Sequence, residues 1–142
     1  METKTTDTQF EYELQELYIS SKHWQSDISF VADEVRFFKN VIGKYFKADN
    51  PQSQGAQMHH CKMMIVRLQE EIITLKIKVI AYLNFLGPYI GNPEKKIDIN
   101  LIEKHSVLEN EIKALFESVK LLKVDLFSLT ENVMDEERNC FI

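Results

Sequence analysis

The fold is decided by residues 58–89, whose sequence is MHHCKMMIVRLQEEIITLKIKVIAYLNFLGPY. Apolar side chains recur along this run at alternating spacings of three and four residues. These spacings bracket the 3.6-residue turn, so the run predicts an α-helix with one continuous apolar stripe. The stripe consists of Met58, Cys61, Ile65, Leu68, Ile72, Leu75, Val79, Tyr82, Leu86 and Tyr89.

A second apolar seam follows the same predicted helix through Met63, Val66, Ile73, Ile77 and Ile80. The middle of the helix is therefore apolar around most of its circumference, and such a helix needs partners on more than one side. Glu70 and Asn84 interrupt the second seam. Single polar residues in an apolar seam commonly determine register or oligomeric state.

The segments on either side of this helix carry the same heptad spacing. That spacing predicts two further long helices, and short connections make neighbouring helices antiparallel. We expect an all-α protein, an antiparallel up-down-up bundle of three long helices at about 8–47, 56–87 and 99–136, with coiled-coil-like packing in a single domain of residues 1–142. The first stripe is Phe10, Leu14, Leu17, Ser21, Trp24, Ile28, Val31, Val35, Phe38, Ile42 and Tyr45, and the third is Leu101, His105, Leu108, Ile112, Leu115, Val119, Leu122, Leu126, Leu129 and Val133.

The helix ends are predicted from capping residues. Thr8 with Glu11 fits a capping box for the first helix, and Ser53 is a candidate N-cap for the second. Gly87 precedes a proline and could end the second helix in a left-handed conformation. Asp98 or Asn100 is expected to cap the third helix.

Composition and charge limit the possible partners. The chain has 142 residues, 44% hydrophobic and 27% charged, with a net charge of −5. This acidic balance disfavours nucleic acid, which is bound mainly through lysine and arginine, and anionic membranes. The sequence shows no secretory signal and no run of about 18 uninterrupted apolar residues. We therefore expect a cytoplasmic protein that binds neither nucleic acid nor membrane.

Histidines are the first candidates for chemistry, because helical bundles often hold metals between facing helices. The four are His23, His59, His60 and His105. At 1.5 Å per residue, an antiparallel bundle places His105 roughly level with Leu14 and about 13 Å from the height of His23. His105 is expected to be a partly buried, hydrogen-bonded core residue. The least implausible metal site combines His105 and His23 with Glu109.

Cysteines are the second candidates. Cys61 lies on the core stripe and Cys140 lies beyond the predicted third helix. An antiparallel bundle brings both to the same end, where a disulfide is conceivable, but a reducing compartment favours free thiols. No base is positioned to activate either thiol, so we expect Cys61 to be structural.

A short stretch on the first helix resembles a known pattern. The residues are Trp24-Gln-Ser-Asp27-Ile28-Ser-Phe30-Val-Ala-Asp33-Glu34. This stretch is similar to one in small uncharacterised bacterial helical-bundle proteins, where a tryptophan precedes an acidic-apolar pair, an aromatic residue and an acidic pair. The resemblance implies a helical bundle and assigns no catalytic residue.

Excess apolar surface leads to the functional expectation. The second seam has no obvious partner within a three-helix bundle. Phe30 and Phe37 lie off the main stripe of the first helix, where they form either a wider buried face or an exposed contact surface. The sequence therefore predicts a non-enzymatic protein without cofactor or metal that acts through protein–protein association. The partner is a second copy, giving a homodimer, or another helical protein. The alternative is a bundle that binds a small ligand or a metal. The predicted interface comprises Phe30, Phe37, Val66, Ile73, Ile77 and Ile80.

Overall fold

The computed structural model describes residues 2–45, 52–92 and 98–140, with the side chains of 11–44, 55–92, 98–132 and 134. Three α-helices pack against each other: α1 (Glu2–Tyr45), α2 (Gln52–Leu86) and α3 (Ile99–Cys140). A 3₁₀ turn at Gly87–Tyr89 follows α2, and the described residues contain no strand. The predicted all-α three-helix bundle is confirmed.

Two helix starts differ from the predicted positions. α1 begins at Glu2, so Thr8 lies inside the helix and does not cap it. Residues 2–7 contain no glycine or proline, and nothing in them ends a helix. α2 begins at Gln52, which places Ser53 inside it, and the helix continues through Gly55. Pro51, which directly precedes this start, lies outside the described residues.

The start of α3 matches the prediction. The amide of Asn100 donates to Asp98 Oδ1 at 3.4 Å, and the amide of Leu101 donates to the Asp98 carbonyl at 3.0 Å. Asp98 is therefore the N-cap, since its carboxylate accepts one of the orphan amides of the first turn. Asn100 lies within the helix and bonds Asp98 through its side-chain amide.

The end of α2 corrects the expectation for Gly87. The chain tightens into the 3₁₀ turn at Gly87–Tyr89, with the amide of Ile90 donating to the Gly87 carbonyl at 3.2 Å. The left-handed residue is instead Gly91, with φ at 75°. Glycine adopts this conformation at no steric cost, so the chain reverses four residues later than predicted.

The predicted stripes form the core. Trp24 is buried, as expected, and Ser21 satisfies its buried hydroxyl by donating to the Leu17 carbonyl at 2.7 Å. Leu17, Met58, Tyr89 and His105 are half-buried, and the side chains of Phe10, Tyr45 and Val133 lie outside the described residues. All other stripe positions are buried: Leu14, Ile28, Val31, Val35, Phe38, Ile42, Cys61, Ile65, Leu68, Ile72, Leu75, Val79, Tyr82, Leu86, Leu101, Leu108, Ile112, Leu115, Val119, Leu122, Leu126 and Leu129.

Tertiary contacts divide into two compact units, and each helix contributes a segment to both. The first unit comprises residues 1–29 and 73–113. Its core contains an aromatic cluster, in which the Trp24 ring centroid lies 4.4 Å from that of His105 and 6.4 Å from that of Tyr82. The Tyr82 hydroxyl donates to the Leu101 carbonyl at 3.0 Å. The three helix segments of this unit therefore share one aromatic core.

The second unit comprises residues 30–72 and 114–142. Polar contacts between α2 and α3 flank its apolar core. His60 Nε2 lies 3.2 Å from Asp125 Oδ2, and Asn132 Nδ2 donates to Gln57 Oε1 at 3.1 Å. Residue numbers fall along α2 as they rise along α3, which makes these two helices antiparallel in this unit.

Candidate association surface

The six predicted interface residues are all exposed. The exposed fractions are 68% for Phe30, 62% for Phe37, 49% for Val66, 60% for Ile73, 65% for Ile77 and 49% for Ile80. Exposure is what an association surface requires, but it does not show that a partner binds there. The interface itself remains a prediction.

An exposed apolar feature lies on α2. Ile73, Ile77 and Ile80 follow one another at spacings of four and three, so they form one strip on a single helix. Met63 and Val66, earlier on α2, continue the same spacing and are also exposed. Exposed Glu70 interrupts the strip, and Asn84 follows its last residue by four positions. We call Met63, Val66, Ile73, Ile77 and Ile80 the outer strip of α2.

A groove borders the outer strip within the first unit. It has a volume of about 590 Å³ and is lined on the α1 side by Gln25, Ser26 and Ser29, and on the α2 side by Lys76 and Ile80. The residues that α1 presents here are mainly polar. The edge of α1 therefore leaves Ile80 half exposed and gives the strip no apolar cover.

The two phenylalanines lie on a different face, within the second unit. Lys123 Nζ on α3 lies 4.0 Å from Glu34 Oε1 on α1, which shows that Glu34 is on the side of α1 nearest α3. Phe30 and Phe37 are four residues before and three after Glu34, so they share its side of the helix. Lys123 also lies over the Phe127 ring, 6.0 Å from its centroid.

Val66 belongs to the same unit but not to that face. Gln57 and His60 of α2 make polar contacts with α3 there. Val66 is six residues beyond His60, which turns it about 120° away around the helix. The structure therefore does not bring Val66 together with Phe30 and Phe37. The periodicity of each helix gave no means of recognising this separation, because it depends on which neighbour each flank faces.

His105 occupies the aromatic core of the first unit, higher than predicted. Its ring stacks against Trp24 and lies 6.0 Å from Tyr82, whereas the heptad count placed it level with Leu14. The axial offset between α1 and α3 depends on the connection after α2, which the heptads do not encode. Its Nε2 is buried and has no hydrogen-bond partner, and Nδ1 lies 3.8 Å from Glu109 Oε2.

Burial governs the chemistry of this histidine. Desolvation lowers the pKa of His105 below its ordinary value of 6.5, while the Glu109 carboxylate partly opposes the shift. A cleft of about 360 Å³ beside the ring is lined by Glu13, Glu16 and Ser20 among others. His105 and Glu109 are adjacent as predicted, and His23 is exposed. No group of three or more His, Cys, Asp or Glu residues within the described part of the chain is arranged to hold a metal ion.

Two other buried groups have pKa values shifted by their surroundings. Burial, and secondarily the Asp125 carboxylate, raise the pKa of the Cys61 thiol, so the neutral thiol is favoured. Cys61 is a free, buried cysteine, as a structural role requires, and the side chain of Cys140 lies outside the described residues. Burial raises the pKa of Tyr82 to about 12, which keeps its hydroxyl a donor to Leu101.

Within the part of the chain that the structure describes, one segment is long and apolar enough to cross a membrane by length and composition alone. It runs from Gly55 to Tyr89, with mean hydropathy 1.2 over its most apolar window, of which 33% is buried. The core helix of a bundle meets the same criteria.

The chain matches no protein-family model, no curated protein and no solved structure.

Proposed function

We propose that this chain is a non-enzymatic helical-bundle protein that acts through protein–protein association and forms a homodimer. The observation that carries the proposal is the outer strip of α2, where Ile73, Ile77 and Ile80 are each about half exposed or more. Soluble monomers rarely expose large contiguous apolar patches, and such patches mark interaction sites.

The energetic argument concerns the side chains of the strip. Fully burying an isoleucine or valine side chain contributes roughly 1.5–3 kcal/mol. Five half-exposed side chains, counted on both copies of a symmetric interface, could therefore offset a large part of the cost of association, which is roughly 4–15 kcal/mol. A second copy supplies a matching apolar helix without requiring another gene product, and two-fold pairing is the commonest arrangement of soluble oligomers.

The titratable groups support a structural role over a catalytic one. The shifted pKa values of His105, Cys61 and Tyr82 have burial as their largest cause. A free, buried thiol at Cys61 suits a reducing compartment, and we propose the cytoplasm as the location.

Sedimentation equilibrium over nanomolar to micromolar concentrations tests the proposal. We expect the mass to rise from 16.7 kDa towards twice that value as concentration increases. A mass that stays at 16.7 kDa at every concentration would contradict the proposed homodimer. Flotation with neutral and with anionic vesicles completes the test, because a monomer that floats with lipid would assign the strip to a membrane surface.

A further inference from the structure

We propose that a groove between α2 and α3 in the first unit binds a small amphipathic anion, an aromatic carboxylate, whose carboxylate pairs with Lys104. The inference goes beyond the proposed self-association, because this groove lies on the side of α2 that faces α3 and is distinct from the outer strip. Its volume is about 590 Å³, within the roughly 300–1,000 Å³ typical of small-ligand sites. We call it the α2–α3 groove.

Two contacts between the helices mark the length of the groove. Lys78 Nζ of α2 lies 3.1 Å from Glu111 Oε2 of α3, and Lys104 Nζ of α3 lies 4.0 Å from the centroid of the Phe85 ring of α2. Lys78 and Phe85 are seven residues apart, so the two contacts are separated by about 10 Å along the helix. That length suits a molecule with one or two rings, whereas a peptide segment would have to pass both contacts.

The space between the two contacts is lined by apolar groups. Ala81 on α2 carries only a methyl group, and Val107 and Leu108 lie on the facing side of α3. Tyr82 is 4% exposed, and its hydroxyl already donates to the Leu101 carbonyl at 3.0 Å. An apolar body placed beside Ala81 therefore covers Tyr82 without leaving the tyrosine hydroxyl unpaired.

The charges around the groove favour an anion. The Glu111 carboxylate is already neutralised, because both of its oxygens lie within 3.3 Å of Lys78 Nζ. Among the residues that the structure describes, Lys104 forms no ion pair, and its ammonium lies over the Phe85 ring. A lysine ammonium has three donors, and a ring face attracts it without supplying a carboxylate, so Lys104 can still donate to one.

Glu103 is the other carboxylate that lines the groove. At about 100° per residue, Lys104 lies about 60° around α3 from the buried Leu101, whereas Glu103 lies about 160° from it. Glu103 is therefore at the outer rim of the groove, and Lys104 is nearer the apolar floor. A ligand whose apolar end lies beside Ala81 reaches Lys104 before it reaches Glu103.

Three naphthalene derivatives with the same ring system test the charge of the ligand. They are 2-naphthoate, the neutral naphthalene-2-carboxamide and the cationic 2-naphthylmethylammonium, each titrated into the native chain while backbone amide signals are followed by NMR. We expect 2-naphthoate to give saturable shifts within 78–85 and 100–111. The carboxamide should bind about fivefold more weakly, the loss expected for an exposed ion pair. Tighter binding of the ammonium would overturn the proposal, because it would place the head group on Glu103.

Variants test where the anion binds. Lys104→Met removes the charge and should weaken 2-naphthoate binding about fivefold, while Lys104→Arg, which keeps the charge, should stay within about twofold of the native affinity. Lys120→Met is the matched control, because Lys120 lies on the same helix outside the groove with its side chain 73% exposed, and it should leave the affinity unchanged. Ala81→Phe should abolish binding by filling the space beside the ring of Tyr82, with circular dichroism as the check that the variant is folded.

The outcomes separate this site from the proposed homodimer. The ligand site is overturned by an absence of saturable shifts in the groove, by equal affinities for 2-naphthoate and the carboxamide, or by shifts confined to Ile73 and Ile77. Equal losses with Lys104→Met and Lys120→Met would overturn it as well. A chain that binds 2-naphthoate in the groove but remains monomeric overturns only self-association, because every residue of the groove belongs to one chain.

Discussion

Trp24 shows how one residue joins the three helix segments of the first unit. Its ring contacts His105 of α3 and lies near Tyr82 of α2, and only 8% of the residue is exposed. Large aromatic side chains contribute much of the energy of a small core, because each buries a large apolar area. The stripe of α1 predicted burial of this residue but not its neighbours.

Replacing Trp24 by alanine should therefore destabilise the fold by about 3–5 kcal/mol, the usual cost of such a core truncation. Urea unfolding followed by circular dichroism measures the change. Tyr12→Ala is the control, because Tyr12 is an aromatic residue on the same helix that is 63% exposed. Its cost should stay within about 0.5 kcal/mol. A Trp24→Ala cost below about 1 kcal/mol would contradict the packing.

His105 should make stability depend on pH. Because burial lowers the folded-state pKa below 6.5, the unfolded chain binds a proton more readily as pH falls through that value. The contribution of His105 is thus fully present above pH 6.5 and is lost progressively below it. The nearby Glu109 carboxylate moderates the effect without reversing its sign.

Unfolding free energies measured at pH 7.5 and at pH 5.5 check this prediction. The native chain should lose more stability on acidification than His105→Phe, which keeps a ring in the cluster but cannot be protonated. The exposed His23 provides the matched control, and His23→Phe should keep the native dependence on pH. Equal losses for the native chain and His105→Phe would rule out His105 as the source.

At the scale of the element, α3 depends on a single capping carboxylate. Asp98 accepts the Asn100 amide, and Leu101, three residues from this cap, is fully buried. Asp98→Ala should cost about 1 kcal/mol, the typical value for losing an N-cap. Chemical denaturation measures it, with Asp98→Asn as the control that retains a capping oxygen. A loss equal in both variants would indicate charge and not capping.

The helix α2 carries two apolar surfaces with different roles. The stripe from Cys61 to Leu86 is buried, while the outer strip remains exposed. Both have the spacing of a helix, and periodicity alone does not say which one faces the core. Which of the two surfaces is buried depends on how α1 and α3 pack. They cover one side of α2 and leave Ile73 and Ile77 exposed.

At the scale of the whole molecule, we expect Ile73→Glu combined with Phe37→Glu to abolish association without unfolding the chain. Both side chains are about 60% exposed, so a charge at either position meets water in the monomer. Circular dichroism should show helix content far above the globular average of roughly a third in both the native chain and the variant. Sedimentation then reports the mass.

Two single variants show which of the two substitutions disrupts association. If association runs through α2 at Ile73, Ile73→Glu alone should dissociate the dimer, and Phe37→Glu should leave it nearly unchanged. The reverse result would move the interface to the face shared by Phe30 and Phe37. A double variant that remains dimeric would show that neither surface forms the dimer interface.

Local spacing determined the helices and their buried stripes. Leu101, Ile112 and Leu122 are buried because a heptad repeat commits one side of any helix to its neighbours, wherever those neighbours lie. The N-cap at Asp98 was equally readable, since capping involves residues adjacent in the sequence. The helix starts at Glu2 and Gln52 could not be predicted in this way, because polar residues extend a helix without any periodic signal.

Only the tertiary structure decided how separate helices align. The stacking of His105 on Trp24 depends on the axial offset of α3, which the connection after α2 determines and no heptad encodes. The assignment of Phe30 and Phe37 to the α3 side of α1 depends on the pair between Glu34 and Lys123. A one-dimensional pattern states which residues need cover, whereas the neighbours that provide it follow from packing in three dimensions.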